Sequence, residues 1–139
     1  MPASPIANSL NADALGRLAT SVAVPAYDRT RLRHGIVHIG VGGFHRAHLA
    51  TYIDELCAGG DTDWAIVGAG VLPGDARMAD ILDGQDHLYT LITRGAEADD
   101  VRVIGSIVDY LHVASDQQPL VDRIAHPDTQ IVSLTVTEG

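Results

Sequence analysis

The chain has 139 residues and a mass of 14.7 kDa, with 46% hydrophobic and 19% charged residues and a formal net charge of −9. That is one domain, long enough to bury roughly two thirds of its unfolded surface. All nine basic residues are arginine, so these residues hold no P-loop lysine, Schiff-base lysine or lysine general base.

An acidic chain with a pI near 4.9 and no basic cluster is a poor partner for nucleic acid or an anionic membrane. Its single cysteine, Cys57, can form neither an internal disulfide nor a thiolate metal cage, which fits a reducing cytoplasm. Met1 to Asn11 lacks the basic start and apolar core of a signal peptide. No apolar run approaches the roughly 18 residues of a membrane span. The expectation is a soluble, cytoplasmic α/β domain.

Residues 1–33 read as an N-terminal arm and 34–139 as the domain proper. Within the arm, Asn11 caps a short helix whose apolar positions are Leu10, Leu15 and Leu18, and Pro25 with Asp28–Arg33 reads as an exposed connection. Ile36–Ile39 is a short apolar run suited to a buried parallel strand, followed by the turn Gly40-Val41-Gly42-Gly43. Phe44 to Ala58 shows helical spacing, with Leu49, Tyr52, Ile53 and Leu56 on one side, and stops at Gly59-Gly60. Trp64–Val67 reads as a second strand closed by glycine, and Asp75 to Leu82 as a helix ending at Gly84.

His87–Thr93 and Val101–Ile104 follow as a β-hairpin around the loop 95–100. Asp116 to Ala125 is a further helix, with Leu120, Val121 and Ile124 facing inward and Pro127 past its end. Ile131–Val136 is the last strand and the most β-branched stretch of the chain. Strands separated by helices imply βαβ units in a doubly wound, mostly parallel sheet with flanking helices. Ligands of such sheets bind at the carboxyl ends of the strands. Because the chain stops directly after its last strand, a truncated protein that lacks a further part is expected.

The chemistry concentrates in one turn. A strand running into Gly-x-Gly and then a helix places backbone N–H groups where they can receive a pyrophosphate. Gly40 permits the tight turn, Gly42 removes the side chain that would block the phosphate, and Arg46 can add a charged fork. The fingerprint is imperfect, because His45 stands where the third glycine of G-x-G-x-x-G belongs. No acid directly follows the second strand. Asp61 and Asp63 lie at its wrong end, and the first acid past its carboxyl end is Asp75. On the generic pattern alone the segment is either a dinucleotide site or a glycine-rich turn that binds nothing. A methyltransferase-type nucleotide site would need an acid where Gly68-Ala69-Gly70 stands.

Other constellations have plain structural readings beside the functional ones. His45 and His48 are three apart, a spacing that can bind zinc, but no cysteine or well-placed acid completes a set, so no metal site is assigned. His34, His38, His87, His112 and His126 are scattered. Cys57 reads as a small buried apolar residue. Asp80, Asp83 and Asp86 read as a solvated face, and Asp99-Asp100 as a loop tip. Glu138, at the end of the last strand, is either an active-site neighbour or an exposed terminal acid.

The run Ile36-Val37-His38-Ile39-Gly40-Val41-Gly42-Gly43-Phe44-His45-Arg46-Ala47-His48 resembles the N-terminal signature of the mannitol dehydrogenase family, the polyol-specific long-chain dehydrogenases. The resemblance continues through Trp64–Gly68, Gly84–Leu91, Val101–Ile107 and Ile131–Gly139, and covers nearly everything from residue 34 onward. It implies a Rossmann-type domain that binds NAD, with NADP left open, followed in full-length members by a mostly helical substrate domain. It further implies hydride transfer without zinc between a polyol such as mannitol and nicotinamide, giving a ketose such as fructose. Fructuronate or tagaturonate reductases share the signature.

By this resemblance the cofactor site comprises Gly40, Val41, Gly42, Gly43, Phe44, His45 and Arg46, with Asp75 as the candidate for the adenosine ribose. The family's catalytic lysine, in a Lys-x-x-x-x-Asn-x-x-His arrangement, belongs to the second domain, so no catalytic residue is assigned here beyond Glu138 as a possible active-site neighbour. The chain by itself is expected to bind nucleotide without turning over substrate. A non-catalytic nucleotide-binding module is the alternative.

Overall fold

The computed structural model describes residues 9–137. A 3-10 turn, Ala12–Ala14, opens the described chain, and the Asn11 side chain accepts from the Ala14 N–H as an N-cap. It runs into the short helix α1 (Leu15–Leu18). The connection that follows is exposed at Asp28, Thr30, Arg31 and Arg33. Two of its residues turn inward instead. Leu32 joins the core at 6% exposure, and Arg29 donates to the carbonyls of Gly105, Asp86 and Ile107.

Strand β1 (Ile36–Ile39) leads through the glycine turn into α2 (Gly43–Ala47), and α3 (Leu49–Ala58) follows. The single helix expected over 44–58 is thus broken at His48, whose φ of −119° and ψ of −88° leave the helical region. The buried face of α3 is also different from the expected one. Ala50, Ile53, Asp54 and Cys57 are buried, whereas Tyr52 and Leu56 face outward. A polar residue, Asp54, holds the inward position because it has partners there.

Strand β2 (Ile66–Gly70) is fully buried, and α4 (Ala76–Gly84) follows after a 3-10 turn at Pro73–Asp75. The chain then reverses at Asp86 and His87, which take φ of 51° and 62°, so the left-handed step falls two residues past the glycine that ends the helix. β3 (Tyr89–Thr93) and β4 (Asp100–Ile104) pair antiparallel, as the hairpin expectation had it. Strand β5 (Ile107–His112) has no counterpart in the sequence reading. It begins three residues after β4 ends, with only Gly105-Ser106 between the two. α5 (Gln118–Ala125) and β6 (Ile131–Leu134) complete the described chain.

The main sheet has the order β5-β2-β1-β6, and every pairing in it is parallel. Helices cover both faces. On one, Ala50, Ile53, Cys57 and Leu82 pack with Ile36, Ile66, Ile107 and Tyr110, and the hairpin adds Tyr89 and Ile104. On the other, Leu120 of α5 packs with Val37, Ala69 and Val113. α5 buries only that leucine, and Val121 and Ile124 lie outward at 53% and 38% exposure. Strand β6 forms one edge, with Val132 and Leu134 exposed. This is the doubly wound Rossmann-type architecture. The chain winds from β1 out through β2 to β5, then returns to the far side of β1 as β6. That reversal puts a topological switch point at the carboxyl end of β1.

Candidate functional site

The segment after β1 sits at that switch point. Gly40 adopts φ of +93°, a conformation that side-chain-bearing residues rarely take, so the tight turn requires glycine. The N–H groups of Gly43, Phe44 and His45 donate to no acceptor among the described residues. A Cβ added at Gly42 or Gly43 would meet nothing within 4 Å, so the backbone is open to approach from solvent. α2 is only five residues long before the break at His48, so the exposed N–H groups of the turn are the main attraction for an anion.

Two cavities flank the turn. One, of about 390 Å³, brings Val41 and Arg46 together with Asp75 and with Arg77 of α4. The other, of about 560 Å³, lies between His38, Phe44 and His45 on one side and Ser133–Thr137 on the other. The turn residues are placed as a unit, but their side chains diverge. Arg46 lies over the Tyr89 ring at 6.0 Å, its Nε donates to the Gly42 carbonyl, and its own carbonyl accepts from the Tyr89 hydroxyl. Phe44 is 72% exposed at the rim, and Val41 is buried.

Val41 can sink inward because residue 68 is glycine. A Cβ there would press on Val41 Cγ2 at 2.7 Å and on the Tyr110 ring at 3.0 Å. A Cβ at Gly70 would likewise collide with Asp75 and the Tyr110 hydroxyl. The glycines of Gly68-Ala69-Gly70 therefore seat the turn and the acid against β2, a role their strand-closing appearance in the sequence does not reveal. The signal was present as two glycines inside an otherwise apolar run.

His45 explains how a ring can stand where a dinucleotide turn usually needs glycine. Its imidazole lies flat on that of His38, with centroids 3.7 Å apart and planes 11° apart. His38 is held in turn by Ser133 Oγ at 2.8 Å and Thr135 Oγ1 at 3.0 Å. Neither ring nitrogen of His45 has a partner among the described residues, and the residue is 2% exposed. Burial, then the proximity of His38 and Arg46, pushes the His45 pKa down to about 3, so the ring is neutral at ordinary pH. Burial also lowers the pKa of His38. His48 turns away, its ring 4.5 Å from that of Phe44, so His45 and His48 do not converge.

Asp75 reaches the site through the 3-10 turn after β2. Its Oδ2 accepts from the Leu72 N–H at 2.9 Å, which leaves its other oxygen free toward the cavity. Cys57 is 1% exposed, and burial raises its thiol to about 11, which removes it as a thiolate nucleophile. Asp83 accepts from or pairs with His87 at 3.0 Å and Asp86 accepts from the Ala12 N–H, so part of that acidic run holds local structure. Glu138 lies outside the described residues. Arg77 and His38 line the two cavities and were not picked out from sequence. Arg77 stands two residues past a candidate acid, a proximity that could have drawn notice. Among the described residues no helix is long and apolar enough to cross a membrane.

Comparison with known proteins extends this geometry. A family model described as the mannitol dehydrogenase Rossmann domain matches residues 34–139. A mannitol 2-dehydrogenase of Pyricularia oryzae is 49% identical over 129 residues, 92% of this chain and 26% of that protein. One of Neosartorya fischeri is 52% identical over 136 residues, 94% of this chain and 27% of that protein. Among solved structures, Pseudomonas fluorescens mannitol 2-dehydrogenase in ternary complex with NAD and D-mannitol superposes with a TM-score of 0.89 at 49% identity, over 94% of this chain and 27% of that one. A substrate-free D-sorbitol dehydrogenase superposes with a TM-score of 0.87 at 35% identity, with the same coverage. The chain thus spans about a quarter of the length of the relatives it matches. With the signature turn, the parallel sheet and these likenesses in agreement, the chain belongs to the mannitol dehydrogenase family, whose Rossmann domain its residues 34–139 match.

Proposed function

We propose that this chain binds NAD and acts as the cofactor domain of a zinc-independent polyol dehydrogenase, with mannitol and fructose as the substrate pair. Residues 1–33 serve as an arm on the dinucleotide-binding domain 34–139. The observation that carries the reading is the open glycine turn at the switch point between two cavities. A dinucleotide has two halves joined by a pyrophosphate, and the site has the same three parts. The 49% identity to an enzyme solved in ternary complex with NAD and D-mannitol supports the choice of ligand.

The residues present fit such a cofactor. The free N–H groups of Gly43, Phe44 and His45 and the Arg46 guanidinium meet the pyrophosphate. The cavity holding Asp75 takes the adenosine ribose, whose hydroxyls its free carboxylate oxygen can accept from. The cavity beside His38, Phe44 and Ser133–Thr137 takes the nicotinamide end, and the neutral His38–His45 stack keeps positive charge off its floor. When bound, NAD supplies the hydride acceptor. The chain's own residues bind, orient and shield it. Glu138 is the one group proposed to lie near the reacting atoms. The proton-transferring lysine that the resemblance implies is absent from this chain, so the 139 residues alone should bind dinucleotide without oxidising mannitol.

Calorimetric titration with NADH tests the reading, because Trp64 precedes β2 at the opposite end of the sheet and is a poor reporter. Saturable binding is expected, and none up to millimolar NADH in a folded sample would refute it. The sharper test is Gly42→Ala. The added methyl meets no protein atom within 4 Å and the backbone is extended, so stability should change by less than about 0.5 kcal/mol. The same methyl points where the pyrophosphate must come, so NADH affinity should fall about tenfold or more. Equal affinities would remove the turn from the site.

A further inference from the structure

Two hydroxyl groups at the edge of the sheet line the cavity of about 560 Å³, and each has bonding capacity to spare. Ser133 and Thr135 are two residues apart in extended chain, so both side chains leave the same face of the sheet. Both reach one imidazole. His38 stands opposite Ser133 in the parallel register of β1 and β6, with its Nδ1 2.8 Å from Ser133 Oγ and its Nε2 3.0 Å from Thr135 Oγ1. Neither hydroxyl has another hydrogen-bond partner among the described residues. The ring is 5% exposed and lies flat on that of His45, so it has little freedom to turn away.

A neutral imidazole has one N–H and one bare nitrogen, and a hydroxyl has a single hydrogen to give. The two bonds must therefore run in opposite senses. The hydroxyl that accepts from the ring N–H keeps its own hydrogen to donate. The hydroxyl that donates to the bare nitrogen can only accept from elsewhere. Whichever tautomer is present, the cavity wall offers one donor and one acceptor. A charged ring would turn both hydroxyls into donors, and burial, which lowers the His38 pKa, disfavours that state. Phe44, Leu49, Leu134 and Val136 supply apolar walls beside the pair.

We infer that His38 is a positioning residue for the nicotinamide half of the dinucleotide, acting through Ser133 and Thr135, whose hydroxyls it sets as one donor and one acceptor toward the bound group. The inference rests on the dinucleotide reading above and deepens it. A flat pyridine ring suits the apolar walls, while its carboxamide and the attached ribose each carry groups that donate and groups that accept. Exchange of the His38 tautomer reverses both hydroxyls at once, so the wall matches either arrangement without moving a heavy atom. The adenosine half lies in the other cavity, which none of these three residues lines.

The test is calorimetric titration of the 139-residue chain with NADH, ADP-ribose and ADP. It is repeated with the double variant Ser133→Ala with Thr135→Val, with His38→Phe and with His38→Gln. Loss of two neutral hydrogen bonds should weaken NADH about tenfold in the double variant and leave ADP within about twofold. His38→Phe keeps a ring on His45 and releases both hydroxyls, so NADH should weaken about threefold or more with ADP unchanged. His38→Gln, whose amide has one donating and one accepting group, should recover part of that loss. ADP-ribose weakening together with NADH would assign the contact to the ribose, and ADP-ribose unchanged would assign it to the carboxamide. Thermal midpoints check that the variants fold, and the double variant changes only positions that are partly or largely exposed. Unchanged NADH affinity in the folded double variant would overturn the inference and leave the dinucleotide reading intact. So would a ratio of NADH to ADP affinity in His38→Phe equal to that of the parent. NADH and ADP weakening by the same factor would mark a purely structural role and overturn it too. Failure of NADH to bind the parent chain would sink both readings.

Discussion

Asp54→Ala is expected to destabilise the protein by about 3 kcal/mol, more than any single change in the glycine turn. The Asp54 side chain is 6% exposed on the inner face of α3. It accepts from the Tyr27 hydroxyl, from Arg102 Nη2 at 2.8 Å and from the Gly105 N–H at 2.9 Å. One carboxylate therefore ties the arm, α3, strand β4 and the link from β4 into β5. Burial first, and then the hydrogen bond to Asp54, drives the Tyr27 hydroxyl far above its ordinary pKa, so it remains a donor at any physiological pH.

Alanine at this position would leave a phenol, a main-chain N–H and a guanidinium facing a small void with no acceptor. The cost falls at the lower end of the range for a broken buried pair, because Arg102 keeps Glu55 at 3.2 Å and its side chain is 23% exposed. Asp54→Asn, which retains one acceptor and loses the charge, should cost less than the alanine change. Urea unfolding measures both. A midpoint for Asp54→Ala equal to that of the parent would show that the network contributes nothing net. Since none of the network's residues lines the two cavities that flank the turn, NADH affinity of the folded fraction should survive.

Acid should weaken the fold by about 2 kcal/mol between pH 7 and pH 5 through His45 alone. The sign follows from where the proton goes. An unfolded histidine titrates near 6.5, whereas burial and the neighbouring His38 and Arg46 hold folded His45 at about 3. Between those values the unfolded chain carries a proton that the folded chain refuses. Stability is therefore complete above about 6.5 and falls as the pH drops, by about 1.4 kcal/mol per pH unit, until the folded ring itself protonates near 3. His38 is depressed as well and adds to the loss in the same direction. Its ring bonds, Ser133 and Thr135, are neutral and cannot compensate.

The rings join α2 to β1, and His38 joins β1 to β6, so the glycine turn should loosen along with the fold. His45→Phe keeps a flat ring on His38 and removes both the titration and the two unpartnered nitrogens. Its urea midpoint should change less between pH 7 and pH 5 than that of the parent. Equal pH dependence in the two proteins would place the acid sensitivity elsewhere.

What could be read directly from the sequence was local. Ile36–Ile39, the glycine turn, the hairpin over 87–104 and the strand beginning at Ile131 each carry their signal within a few residues, as apolar run, φ requirement or β-branching. The tight turn at Gly40 and the open backbone at Gly42 were legible for the same reason, since that turn is written in consecutive residues. The signature around them carried the family as well.

Tertiary structure decided everything that depends on what a residue faces. Asp54 and Ala50 point inward on α3 while Tyr52 and Leu56 point outward, because Arg102, Tyr27 and Gly105 arrive from distant parts of the chain to satisfy a buried acid. Strand β5 exists because β2 offers it a parallel partner about forty residues away, a pairing with no local turn to announce it. Gly68 and Gly70 need their missing side chains only because Val41, Tyr110 and Asp75 press against them. Arg77 meets Arg46 and Asp75 only once β1 and β2 lie side by side. Propensity and spacing act over a single turn or strand, whereas burial, partner choice and charge convergence are set by contacts between segments that the fold alone brings together.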